Sequence, residues 1–186
     1  TFNPPHIGHT RLAEHFVKEL KLDRLLVIPT YQPPHKSADN LASGEDRINM
    51  CMLAFPDAVI STIEMNRGGK SYTYDTLKEL QREDTRLFLL CGTDMVLTFD
   101  TWYRFEDIFK MCYPVYVRRE NDPLMTNRVV AKISEYYKKY GVMFRKIVTE
   151  PLELSSTDIR KAVREGRDIS GLVPHGVADF IRENGL

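Results

Sequence analysis

Gly8-His-Thr-Arg-Leu-Ala-Glu-His-Phe-Val-Lys-Glu-Leu20, followed after three residues by Arg24-Leu-Leu-Val-Ile-Pro29, decides the fold. In the first stretch Leu12, Phe16, Val17 and Leu20 recur at helical spacing. The second is a short β-rich run closed by proline, the pattern of a strand buried on both faces. The alternation continues outward. A loop, Thr30–Ser43 with Pro33-Pro34 inside it, leads to a helical stretch at Gly44–Ala54 and a strand at Ala58–Ile63. Tyr74–Arg82 reads as a helix, and Thr85–Leu90 as a strand that ends at Cys91-Gly92-Thr93-Asp94. Trp102–Lys110 is helical, Tyr113–Val117 a strand, Asn127–Tyr140 a helix and Val142–Val148 the last strand, before helices near Thr157–Glu165 and Val173–Glu183. Strand and helix in turn predict an α/β fold with a mainly parallel sheet and helices on both faces. Ligands of such sheets sit beyond the carboxyl ends of the strands, which singles out Thr30–Ser43, Cys91–Asp94 and Glu150–Ser156.

The chain has 186 residues, 42% of them hydrophobic and 28% charged, which suits a globular chain with a real core and excludes a disordered or disulfide-stapled class. Without a repeat or a long linker, residues 1–186 read as a single domain that includes the C-terminal helices 156–186. Lys plus Arg and Asp plus Glu are both 26, so net charge gives no reason to expect nucleic acid or an anionic membrane as partner. No apolar run approaches the about 20 residues of a spanning helix, and the start has no signal-peptide character. Cys51, Cys91 and Cys112 are odd in number, far apart and in no CxxC pair, and so read as core thiols in a reducing cytoplasmic compartment. The sequence opens at Thr1 in what reads as a loop entering the first helix, with no strand before it, and is therefore expected to be a trimmed form of the domain.

Two groups of residues carry chemistry. Thr1-Phe-Asn-Pro-Pro-His-Ile-Gly-His9 enters a helix; Pro4 and Pro5 fix the loop and Gly8 admits a ligand close to the backbone. His6 and His9, three apart, lie on neighbouring sides of one helical face, where imidazoles and helix-start amides suit a polyphosphate. A helix cap with two surface histidines is the plain alternative, and the Pro-Pro pair at a strand-to-helix junction tips the balance against it. Leu154-Ser-Ser-Thr-Asp-Ile-Arg160 is the second group. Ser155 or Ser156 caps a helix, Thr157 and Asp158 suit its first turn, and Arg160 lies one turn in, giving a second anion site. A capped helix with a solvated arginine is the commoner reading of that segment alone. Two such helix starts, each after a strand, can hold one triphosphate between them.

These pieces carry a resemblance. FNPPHIGH resembles the HxGH signature of the nucleotidyltransferase α/β phosphodiesterase superfamily, and SSTDIR resembles its ISSTxIR motif with Leu154 in place of isoleucine. Pro33-Pro34-His35-Lys36, Ser71-Tyr72-Thr73-Tyr74-Asp75-Thr76-Leu77, Gly92-Thr93-Asp94 and Thr101-Trp102-Tyr103 follow in the order of the bacterial nicotinate-nucleotide adenylyltransferase family. The resemblance spans the chain from Thr1 to Leu172-Val173-Pro174. It implies a Rossmann-like three-layer fold and a cytoplasmic enzyme of NAD biosynthesis. AMP would pass from ATP, with Mg2+, to nicotinate mononucleotide by direct in-line attack, releasing pyrophosphate and forming deamido-NAD. The small-molecule substrates would be the only partners implied, with a homo-oligomer left open.

Carried over residue by residue, the resemblance makes His6, His9 and Arg160 catalytic, with His9 on the α-phosphate. Thr1, Phe2, Asn3, Gly8, Gly92, Asp94, Ser155, Ser156 and Thr157 would bind ATP, Asp94 through ribose hydroxyls. Trp102 would stack on the pyridine ring. Thr73, with the amides near Thr73 and Tyr103, would meet the carboxylate, and Lys36 beside His35 would neutralise the mononucleotide phosphate. No residue is implied as a metal ligand. Core packing for Trp102, Tyr72 and Tyr74, solvation for Lys36 and a simple cap for Asp94 are the plain alternatives. His15 and His175 receive no role. The family's strand and Gly-Gly pair before the Thr-Phe-Asn motif do not occur in this sequence. Rival readings are nicotinamide mononucleotide as acceptor, phosphopantetheine, and a non-catalytic nucleotide-binding module; the PPH, SYTYDTL and TWY segments speak against phosphopantetheine.

Overall fold

The computed structural model describes residues 1–34, 41–117, 122–150 and 154–186. In chain order its elements are α1 (Ile7–Leu20), β1 (Leu26–Val27), α2 (Gly44–Ala54), β2 (Val59–Ile60), α3 (Ile63–Arg67), α4 (Thr73–Leu80), β3 (Phe88–Gly92) and α5 (Thr93–Thr98). A 3-10 turn at Phe99–Thr101 follows, then α6 (Phe105–Met111), β4 (Tyr113–Val117), α7 (Pro123–Tyr140), β5 (Arg145–Ile147), α8 (Ser156–Arg164) and α9 (His175–Asn184). All strand pairs are parallel, β1 with β2 and β3 with β4 with β5, so the α/β expectation stands. The chain divides into two compact units, Thr1–Ser71 with Glu153–Leu186, and Tyr72–Leu152.

In the first unit, β1 and β2 are two residues each, shorter than the apolar runs suggest. Their ladder is bounded by Val59 N–H donating to Leu25 O and Ser61 N–H donating to Val27 O, and Pro29 has no N–H to extend it. Ile63, expected in the second strand, instead opens α3, whose five residues are too few to display a period. Val27, Met50, Cys51, Ala54, Ile159, Ala162, Val177 and Ile181 form the core, so α2, α8 and α9 each bury an apolar stripe.

In the second unit, Leu77, Cys91, Val96, Phe99, Ile108, Cys112, Val129, Tyr136 and Phe144 pack together. Phe99 is central: its ring stacks on Phe109 at 4.8 Å and meets Phe144 edge-on at 5.8 Å. The segment Cys91–Asp94, expected as a loop, is a correction. Cys91 and Gly92 complete β3, and Gly92 is the N-cap from which α5 starts without a connecting loop. The helix α7 begins at Pro123, four residues before the expected Asn127, because Asp122 accepts from Leu124 N–H and proline suits the first helical position.

The three cysteines are free and buried, and burial pushes their thiols up, Cys51 and Cys112 to about 12. Tyr136, 1% exposed, links α7 to the α5 end: its hydroxyl accepts from Asp100 N–H at 3.2 Å and lies 3.1 Å from Val96 O. Tyr136→Phe strands both backbone groups and is expected to cost about 1–3 kcal/mol. In thermal melting that is a drop of about 2–4 °C per kcal/mol, and an unchanged midpoint would contradict it. Among the described residues no helix is long and apolar enough to cross a membrane.

Candidate active site

The loop that enters α1 is built under strain and held from several sides. Phe2 sits in the left-handed region at φ 56°, a conformation that costs a non-glycine residue about 1–2 kcal/mol. Its ring packs edge-on against His9 at 5.1 Å and Phe55 at 5.6 Å. The Asn3 side chain accepts from Ala42 N–H at 2.9 Å, and Ile7 N–H donates to Leu172 O at 3.1 Å, so the segment before α9 steadies the first turn of α1.

His6 is buried and is the N-cap of α1; His9 is half-buried one turn on. The His6 N–H donates to His9 Nδ1 at 3.2 Å, and the two rings lie 3.7 Å apart at 30°. An imidazole that accepts at Nδ1 carries its proton on Nε2 when neutral, so the bond assigns His9 the Nε2–H tautomer. The bond thereby fixes the His9 ring at the start of α1, where the Ile7 amide is itself tied to Leu172 O and the His9 amide to His6 O.

The second motif meets the first. Ser155 caps α8, accepting from Asp158 N–H at 3.2 Å, while Asp158 accepts from Ser155 N–H at 3.0 Å, a reciprocal capping box. The Ser155 hydroxyl, which donates to the Asp158 carboxylate, and then the Ser155 N–H hold that carboxyl below its usual range. The open choice of cap is thus decided for Ser155. Ser156 instead donates its hydroxyl to Pro4 O at 2.8 Å. Arg160 donates through one terminal nitrogen to Asn3 O at 2.8 Å and through the other to Thr157 Oγ1 at 3.2 Å. Residues more than 150 positions apart, Ser156 with Pro4 and Arg160 with Asn3, are therefore joined directly, and the starts of α1 and α8 lie together. The guanidinium has five N–H donors, so these two bonds orient the fork without exhausting it.

Sequence reasoning missed Arg47. It lies in α2 and is 2% exposed. Its Nε donates to Ala42 O at 3.1 Å, and its terminal nitrogens reach Thr1 O at 3.3 Å, Tyr31 O at 3.4 Å and Thr30 O. Burial pulls its pKa down, though a guanidinium stays charged. The signal was faint, since one arginine in a helix otherwise reads as a solvated charge.

In the second unit the sequence-predicted acceptor residues gather. Thr73 opens α4 directly after its N-cap Tyr72, and the Tyr72 ring lies 4.9 Å from Tyr103. The Tyr103 ring also meets Tyr74 at 5.8 Å, over which the Arg104 guanidinium sits at 4.2 Å. Half-buried Trp102 stacks on Phe99 at 4.6 Å and 17°, so one face of the indole belongs to the aromatic core. Asp94 is exposed in the first turn of α5, beside Thr93, whose buried hydroxyl has no partner among the described residues. His35 and Lys36 lie outside the described residues, as does part of Glu150–Ser156.

Known proteins share this arrangement of elements. The cytidylyltransferase-like family matches residues 1–162. A "Probable nicotinate-nucleotide adenylyltransferase" of Thermoanaerobacter sp. (strain X514) is 36% identical across the whole of this chain and 90% of its own length. The chain belongs to the nicotinate-nucleotide adenylyltransferase family. A protein of the same description from Lactiplantibacillus plantarum is also 36% identical, over all of this chain and 84% of its own. The solved structure of Plasmodium falciparum nicotinic acid mononucleotide adenylyltransferase complexed with NaAD overlays with a TM-score of 0.75, covering 100% of this chain and 92% of that one; at 16% identity this speaks for the nucleotidyltransferase fold. As a member of the nicotinate-nucleotide adenylyltransferases, the chain is a nucleotidyltransferase enzyme of NAD biosynthesis.

Proposed function

We propose that this nicotinate-nucleotide adenylyltransferase transfers AMP from ATP to nicotinate mononucleotide by direct in-line attack of the mononucleotide phosphate on the α-phosphorus, with release of pyrophosphate. The observation that carries this is the pair of bonds from Ser156 and Arg160 to the backbone of Pro4 and Asn3, which brings two helix starts and an Nε2–H donor to one place. Such a site positions a triphosphate and stabilises developing charge; it does not require an activated protein nucleophile. His9 donates to the α-phosphate and His6 supports it. Arg160, Thr157 and the α8 amides hold the β- and γ-phosphates. Thr1, Phe2, Asn3 and Gly8 shape the loop beside them, with Ser155 capping α8 and Ser156 locking it to Pro4. Asp94 takes the ribose hydroxyls, with Gly92 beside it. Residues 1–186 act as one nucleotidyltransferase domain, in the cytoplasm, where three buried free thiols are at home.

Among the described residues no group of three or more His, Cys, Asp or Glu is placed to hold a metal. A site of N–H and hydroxyl donors fits magnesium that arrives on ATP, since this ion keeps several waters and binds chiefly through substrate phosphates. Bound there it neutralises phosphate charge; the protein's own groups orient the chain of phosphates.

For the acceptor, the free face of Trp102 stacks on the pyridine ring, while Thr73 and Tyr103 meet the carboxylate and His35 and Lys36 the phosphate. Trp102→Ala is expected to raise the KM for nicotinate mononucleotide about tenfold, equivalent to about 1.4 kcal/mol of stacking, and to spare ATP binding. An unchanged acceptor KM would remove the stacking role. The direction of transfer is tested with ATP labelled at one phosphate. Label from the α-position must enter the dinucleotide and label from the γ-position must leave as pyrophosphate; γ-label in the dinucleotide would overturn the reaction.

A further inference from the structure

We infer that Arg47 is a positioning residue of the transfer reaction: its buried guanidinium fixes the Thr1–His9 loop and so sets where the His9 donor points. The inference rests on the proposed role of His9. A buried charge is destabilising unless hydrogen bonds replace its hydration, so an arginine at 2% exposure is a costly choice for a helix of the core. Its bonds show what that choice secures. They run to carbonyls of three separate segments: Thr1 in the motif loop, Thr30 and Tyr31 after β1, and Ala42 before α2. Only a planar fork with several fixed donors can serve such a set, which a lysine cannot.

The segments so joined are those on which the histidine loop depends. Ala42, held by Arg47 through its carbonyl, donates its own N–H to the Asn3 side chain. Asn3 in turn gives its carbonyl to Arg160. Arg47 therefore grips the loop twice, at Thr1 directly and at Asn3 through Ala42, on either side of the strained Phe2. A left-handed non-glycine residue persists only where its surroundings over-determine it. With the grip released, Phe2 is free to relax toward ordinary dihedrals, and its ring, packed on His9, moves with it. The His9 ring then loses its aim at the α-phosphate, while Arg160, Thr157 and the α8 amides, which hold the β- and γ-phosphates, remain in place.

The test is a double-mutant cycle of Arg47→Lys and His9→Ala, with kcat expressed per folded molecule from circular dichroism, and KM for ATP alongside. In the His9 protein, Arg47→Lys is expected to lower kcat about tenfold to hundredfold with KM for ATP nearly constant. In the His9→Ala background the same change is expected to have almost no effect, because the group it aims is gone. Equal losses in both backgrounds, or a kcat per folded molecule that stays normal, would overturn the inference. Arg47→Gln, which keeps amide donors without charge, is carried through the same cycle so that poor folding of one variant still leaves a decisive comparison from the other. If His9→Ala alone keeps normal turnover, the proposed reaction mechanism fails by itself, a result separate from additive losses.

Discussion

His9→Ala is expected to lower kcat by about 10²–10³-fold, the effect of deleting one preorganised donor from a site that, as proposed, works by stabilising developing charge. Its basis is the bond from His6 N–H to His9 Nδ1, which places the ring proton of neutral His9 on Nε2. Removing the ring also removes that acceptor from a helix-start amide, a structural loss of about 1 kcal/mol that the chain can bear. Circular dichroism and melting should therefore stay close to those of the parent protein while single-turnover rates collapse. Near-normal turnover in a folded variant would take His9 out of the mechanism.

Arg160→Lys is the second large effect, expected to reduce kcat/KM for ATP by about 10²-fold despite the retained charge. The guanidinium reaches Asn3 O and Thr157 Oγ1 at once, 2.8 Å and 3.2 Å away, and an ammonium cannot span both and still face a phosphate. The loss should fall on KM for ATP as well as on kcat, since Arg160 ties α8 to the motif loop and, in the proposed role, also binds phosphates. Kinetics at saturating acceptor separate the two. A change confined to the acceptor KM would assign Arg160 elsewhere.

Much of the fold and of the site is legible in the sequence, and the reasons are local. The helix α2 is readable to its ends because Ser43 accepts from Asp46 N–H and Gly44 opens the turn, so its boundaries are written in neighbouring residues. The cap of α8 is legible to within one residue for the same reason. The strand Tyr113–Val117 is legible to its ends as β4, but the other strand lengths are not, because pairing partners far along the chain decide where a ladder stops: β1 ends with β2, not with its own apolar run. The helix α5 is hidden because no loop separates it from β3. His6 and Arg160 are visible as motif members, but their coupling through Asn3, Pro4 and Ser156 is a tertiary fact. Arg47 is invisible for a related reason, since burial alone distinguishes it from a solvated helical arginine and burial is set by the three segments folded over it.

Pyrophosphate release by the full-length protein, with magnesium-ATP and in parallel with nicotinate mononucleotide, nicotinamide mononucleotide and phosphopantetheine, tests the central claim most directly. A strong preference for nicotinate mononucleotide, in kcat/KM, is the result expected if Thr73 and Tyr103 meet the carboxylate as proposed. Measurable ATP binding with no turnover on any acceptor, or preference for either of the other two, would contradict it.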